Sequence, residues 1–96
     1  MEVKTSGSEL TITGNIKSIE DYLEIKKAVR VLIDGGAQAI TVKIPESLSM
    51  TSSVIGFFLK LVRADNIKID MFVKDDRLMS LLDTLNLTTI FNIRKM

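Results

Sequence analysis

The chain contains no cysteine, no histidine and no tryptophan, and only one proline. Without cysteine there is no disulfide, no thiolate metal site and no thiol nucleophile. Without histidine the commonest general base and the commonest metal ligand are missing as well. Catalysis therefore has little to work with, so no enzyme activity, no cofactor and no metal are expected. A phosphate cradle is absent too, since Gly35-Gly36 lacks the further glycines and the lysine of a P-loop and reads as a helix stop. Glu20-Asp21 and Asp75-Asp76 sit where helices should start, so they read as acids favoured by the helix dipole and not as an acid/base dyad. No apolar run approaches the ~20 residues needed to span a bilayer. Residues 1–7 carry Glu2 where a secretory signal would carry basic charge, so membrane insertion is not expected and the cytoplasm is. Nor is there a surplus of one sign of charge: 13 Lys and Arg stand against 12 Asp and Glu. Nothing draws the whole chain towards nucleic acid.

What is present suits one folded domain spanning residues 1–96, with 46% apolar and 26% charged residues. That length supports a single core. With four Phe and one Tyr as the only aromatics, most of the core must come from Ile, Leu, Val and Met. Glu9 to Ile16 alternates Leu10, Ile12, Gly14 and Ile16 against Thr11, Thr13 and Asn15, which predicts a strand with one buried face. Glu2 to Thr5, followed by Ser6-Gly7-Ser8, predicts a strand paired with it as a hairpin. From Ser18 the period becomes helical, with Ile19, Tyr22, Leu23, Val29, Leu32 and Ile33 on one face and Ser18/Asp21 as a capping box.

Ala39 to Ile44 reads as a buried strand stopped by Pro45. A second helix follows, with Val54, Ile55, Phe58, Leu61 and Val62 on its inner stripe. Ile67 to Val73 alternates as another strand, and Asp75 or Asp76 caps a third helix bearing Leu78, Leu81, Leu82 and Leu85. Asn86 fits the left-handed position after that helix, and Thr88 to Ile93 is expected to be the last strand. The order β-β-α-β-α-β-α-β is an α/β pattern that predicts a mixed, mostly parallel sheet of four to five strands with three to four helices. Loops at the carboxyl ends of such strands commonly carry the site, and the loop from Pro45 to Ser53 is one of them.

Three pieces in this order resemble a STAS domain, the fold of bacterial anti-anti-sigma factors (anti-sigma factor antagonists). They are LTITGNI, then TSSVIGFFLKL where that family has Asp-Ser-Ser/Thr-Gly-Leu-Gly before an apolar helix, and LLDTLNLTTIFNI as the closing segment. With Gly56 on the motif's second glycine, Ser52 takes the position that a partner kinase phosphorylates in anti-anti-sigma members, with Ser53 second to it. Thr51 replaces the family's Asp, and Val54 its first Gly. The resemblance implies a phosphoprotein in partner-switching signal transduction that regulates transcription. Its implied partners are a histidine-kinase-like serine kinase acting as anti-sigma factor, and a metal-dependent phosphatase that resets the switch. A second implied role is a STAS subunit docked on the ATPase of an ABC-type lipid transporter.

Physically, a hydroxyl before an apolar helix is ordinarily an N-cap, the reading best suited to Thr51. A phosphate on Ser52 would sit at the positive end of a helix, which stabilises anions. Met50, Phe57 and Leu59 fall off the main stripe. Two readings follow: a wide helix that is simply well buried, or an apolar patch at the helix start, in which case Met50, Thr51, Ser52, Ser53, Val54, Phe57 and Lys60 are the candidate partner-binding residues. Gly56 is expected to permit close packing of helix on sheet. An exposed first strand leaves room for pairing between two copies.

Overall fold

The computed structural model describes residues 1–96. Strand β1 (Glu2–Ser6) turns into β2 (Glu9–Thr13), and α1 (Ile19–Asp34), β3 (Ala39–Ile44), α2 (Ser52–Arg63), β4 (Lys68–Val73), α3 (Asp76–Thr84) and β5 (Ile93–Lys95) follow. One five-stranded sheet runs in the order β1-β2-β3-β4-β5. Its first pairing is antiparallel and the other three are parallel. The α/β architecture, the element order and the mixed, mostly parallel sheet agree with the sequence pattern; the helices number three.

Local chemistry explains the boundaries. The hairpin turns through Gly7-Ser8, with Gly7 at φ 58°, a conformation that costs glycine nothing. At the start of α1 the Asp21 N–H donates to Ser18 Oγ at 3.1 Å, and the Ser18 N–H donates back to the Asp21 carboxylate at 3.1 Å. That is the expected capping box. Asp75 caps α3 by accepting from the N–H groups of Arg77 and Leu78 at 2.8 and 3.3 Å. Asn86 occupies the left-handed region at φ 60°, the place expected of it.

Strand alternation divides the sheet into two unlike faces. Leu10, Ile12, Ile40, Val42, Ile44, Ile69, Met71 and Val73 are buried, whereas Thr11, Thr41, Lys43, Asp70 and Phe72 are half-exposed. With strands in sequential order, right-handed crossovers place every helix on one face, and this burial pattern agrees. The open face is polar and internally paired: Lys43 reaches Glu9 at 3.0 Å, Asn92 bonds Asp70, and the Arg94 guanidinium lies 5.9 Å from the Phe72 ring centre.

Three expectations are corrected. Thr88 to Ile93 is not a strand; residues 88–92 form a turn, and β5 begins only at Ile93. The Phe91 N–H donates to the Leu87 carbonyl at 2.9 Å and the Ile93 N–H to that of Thr88 at 2.8 Å. Leu87 and Phe91 are both buried; a spacing of four puts both on one side of a strand or of a helical turn alike, and it is these main-chain bonds that make the segment a turn. On α1 the buried positions are Ile25 and Val29, while Ile19 and Leu23 of the expected stripe are 72% and 54% exposed. The buried face is thus rotated towards Ile25, Val29, Leu32 and Ile33. Finally Gly56 is exposed, and a Cβ built there meets nothing within 4 Å, so close packing is not its reason.

Candidate functional site

Residues 45–51 leave the carboxyl end of β3 beside residues 14–18, which leave β2. Three side chains lace these loops together. The Gly14 N–H donates to Glu46 Oε1 at 2.8 Å, the Ile16 N–H to Ser47 Oγ at 3.0 Å, and the Leu48 N–H to Asn15 Oδ1 at 3.0 Å. Ser47 is fully buried, and its own hydroxyl donates to the Ser49 carbonyl at 2.6 Å. Main-chain groups with no place in the sheet thereby find partners, as buried loop backbone must. Short polar side chains just after strand ends favour such bonds, but the pairing across more than 30 residues is visible only in the fold.

The lacing sets the starts of α1 and α2 side by side. Thr51 is the N-cap of α2, its Oγ1 accepting from the Val54 N–H at 3.3 Å. Ser52 and Ser53 are the first two helical residues, both exposed. Lys17, Ser18, Ile19, Tyr22, Thr51 and Ser53 line a cleft of about 100 Å³ between the two helix starts. N–H groups of first turns lack intrahelical acceptors, so the α2 start, which has no acid in its first turn, presents partial positive charge. Lys17 adds a full one, while Glu20 and Asp21 offset the dipole at the α1 start. The Asp21 carboxylate turns back onto the chain. The Lys17 N–H donates to it at 2.9 Å, and chiefly that bond holds its pKa below the usual carboxylate range. A larger hollow of about 380 Å³ lies at the amino ends of the parallel strands, lined by Gly7, Ser8, Val31, Leu32, Gly35, Gly36 and Ala37. No ionisable side chain lines it, which gives it no comparable chemistry.

No family model, no curated protein and no solved structure matches the chain. The properties of the site must follow from its own geometry. No helix is long and apolar enough to cross a membrane.

The expected partner surface is redrawn. Met50, Val54 and Phe57 are core residues, 6%, 0% and 7% exposed. They hold the helix start down and are not available to a partner. Phe57 lies inward because its ring packs edge-on against Tyr22, 6.2 Å between centres. Leu59 is half-buried, and the exposed face of α2 consists of Ser52, Ser53, Gly56, Lys60 and Arg63. Apolar exposure comes from elsewhere, from Leu48 on the loop and from Ile19 and Leu23 on α1. Ile19 and Leu23 were missed because a helical stripe cannot tell which of its margins a neighbouring helix covers, and Leu48, on a loop, belongs to no stripe at all.

An exposed glycine inside a helix, touching nothing, is a standing cost of about 1 kcal/mol relative to alanine. Gly56→Ala is therefore expected to raise the melting temperature by roughly 4–8 °C in a domain of this size. Thermal unfolding followed by circular dichroism measures it. A melting temperature that falls would mean the outer face of α2 has no room for a methyl group.

Proposed function

We propose that the protein is a cytoplasmic regulatory module of the STAS, anti-anti-sigma type that works by binding and not by catalysis. A partner docks over the loop between β3 and α2, and a phosphate on Ser52 controls the docking. One observation carries this reading: Ser52 is exposed as the first residue of a helix, between Thr51 and Ser53 in the chain, which themselves line a cleft with Lys17 and the start of α1. Exposed Ile19, Leu23 and Leu48 supply apolar contact around this polar centre. A phosphate at Ser52 adds nearly two negative charges that the helix start tolerates. The same charge penalises an apolar or acidic surface brought down upon it.

The partner of this reading is a histidine-kinase-like serine kinase that binds the unmodified form and modifies it. A metal-dependent phosphatase returns the module to the binding form. Ser52→Asp is then expected to weaken binding by roughly tenfold or more, and Ser52→Ala to bind as the unmodified protein does. Affinity capture of the partner, followed by titration against both variants, measures the difference. Equal affinity of the two variants would remove the switch. Ser53→Asp, one residue on, serves as the second acceptor to be compared.

Gly56 favours a second reading, a permanent docking subunit on the ATPase of an ABC-type transporter. The exposed row Ser52, Gly56, Lys60 leaves the centre of α2 bare of side chain, which lets another helix approach closely at a cost in stability. In that case the partner is an ATPase, and Gly56→Ala weakens binding while Ser52→Ala does not.

A further inference from the structure

Strand β1 is an edge of the sheet, five residues long, with no proline and no bulge to protect it. The opposite edge, β5, has three residues. An edge of this length without proline or bulge is a template for another strand, and its charges, Glu2 and Lys4, admit only a strand that matches them; which groups β1 presents outward can be derived. A two-residue turn closes on the pair Ser6 and Glu9, and the register runs on through Lys4–Thr11 and Glu2–Thr13. In an antiparallel ladder, alternate residues bond the same neighbour, so the main chains of Ser6, Lys4 and Glu2 face β2. Thr13 Oγ1 donates to the Glu2 carbonyl at 3.4 Å, which places that carbonyl on the β2 side independently. The N–H and carbonyl groups of Val3 and Thr5 therefore point away from the sheet.

We infer that β1 is a self-pairing edge: two copies of this chain join β1 to β1 antiparallel about Val3, extending two five-stranded sheets into one. The charge pattern selects this occupant and this register. With Val3 opposite Val3 of the second copy, Glu2 stands opposite Lys4 of the second copy, and Lys4 opposite its Glu2. Both lie on the open face, where opposite charges directly across a strand pair stabilise it. Moving the centre to Lys4 is allowed by the main chain, with Val3 opposite Thr5 as the bonded pairs, but it sets two ammonium groups directly against each other and leaves Glu2 opposite Ser6. A centre at Thr5 is allowed by the main chain but leaves both charges unmatched. Within one chain, Lys4 and Glu2 approach to 3.5 Å with side chains 75% and 66% exposed, so solvent weakens that contact and both groups are free to exchange partners. On the other face Val3 already packs at the margin of the core, and the second copy's Val3 continues that margin. The arrangement is a two-fold, isologous interface. Being a single strand pair, it is smaller than a standard interface and gives weak, concentration-dependent association. It is independent of the switch proposed at Ser52.

Sedimentation velocity from micromolar to millimolar protein tests it. The wild-type mass should move from 10.7 kDa towards twice that value. Lys4→Glu sets four carboxylates across the pair and should lower the association constant by about tenfold or more, while Glu2→Lys with Lys4→Glu restores the pattern and the association. Val3→Pro removes an N–H that the hairpin does not use, so association is lost with the fold intact. Amide exchange should slow with concentration at Val3 and Thr5 and stay constant at Lys4. A wild type that remains single at millimolar concentration overturns the inference, as does a Lys4→Glu variant that associates as strongly as the wild type.

Discussion

Phe58→Ala is expected to lower the melting temperature by roughly 15–30 °C, enough to leave much of the protein unfolded at 37 °C. Phe58 is fully buried, and it stands in the middle of a row of rings. Its centre is 5.7 Å from that of Phe57 and 6.1 Å from that of Phe91, and Phe57 continues the row to Tyr22. Truncating a buried phenylalanine costs about 3–5 kcal/mol through lost transfer energy and the cavity left behind, against a total of ~5–15 kcal/mol for a domain. The row joins α1, α2 and the turn before β5, so the loss is shared by three parts of the chain. Phe72 is the built-in comparison: it is half-exposed on the open sheet face, and Phe72→Ala should cost far less. Chemical denaturation of both variants decides the point. Equal losses would show that the ring row is not the centre of the core.

Ser47→Ala should remove about 1–3 kcal/mol, because the buried Ile16 N–H loses its acceptor and no water reaches a fully buried site to replace it. Its effect should also be local. The bonds Gly14 to Glu46 and Leu48 to Asn15 flank Ser47 on the same pair of loops, so amide exchange at Gly14, Ile16 and Leu48 should accelerate before that of the β3–β4 ladder. Ser49→Ala is the contrast, since Ser49 is exposed and contributes only its carbonyl, and it should stay within about 0.5 kcal/mol of the wild type. Should Ser47→Ala and Ser49→Ala prove indistinguishable, the lacing would not be what fixes the two helix starts. Partner binding in the Ser47→Ala variant then links this prediction to function. A loop set free should bind more weakly even with Ser52 untouched, because ordering it again opposes association.

The elements with strong local signals were legible. Alternation from Glu9, β-branched residues before Pro45, the capping box at Ser18, the Asp75 cap and the left-handed Asn86 take the places that propensity and capping assign them, although the strand expected to reach Ile16 ends at Thr13, before Gly14 at φ 79°. Failures occurred where neighbours decide. Thr88 to Ile93 has strand composition, yet Leu87 and Phe91 gain more by entering the core together from one turn. Met50 and Phe57 lie outside the ideal helical stripe, but Tyr22 of α1 covers the flank on which Phe57 lies. At the site, the identity of the cap and the exposure of Ser52 and Ser53 could be read from hydroxyls preceding an apolar helix. The lacing by Asn15, Glu46 and Ser47 could not, since each bond spans more than 30 residues and no periodicity encodes it.

Each strand of this sheet pairs only with the strands before and after it in the chain. During synthesis, therefore, every strand that leaves the ribosome meets a finished neighbour, and no pairing waits for a distant terminus. Helices shield one side of each addition as it is made, so the growing sheet shows water mainly its polar face and its current last strand. Assembly by successive additions keeps the search short and limits the time for which any apolar edge stands uncovered.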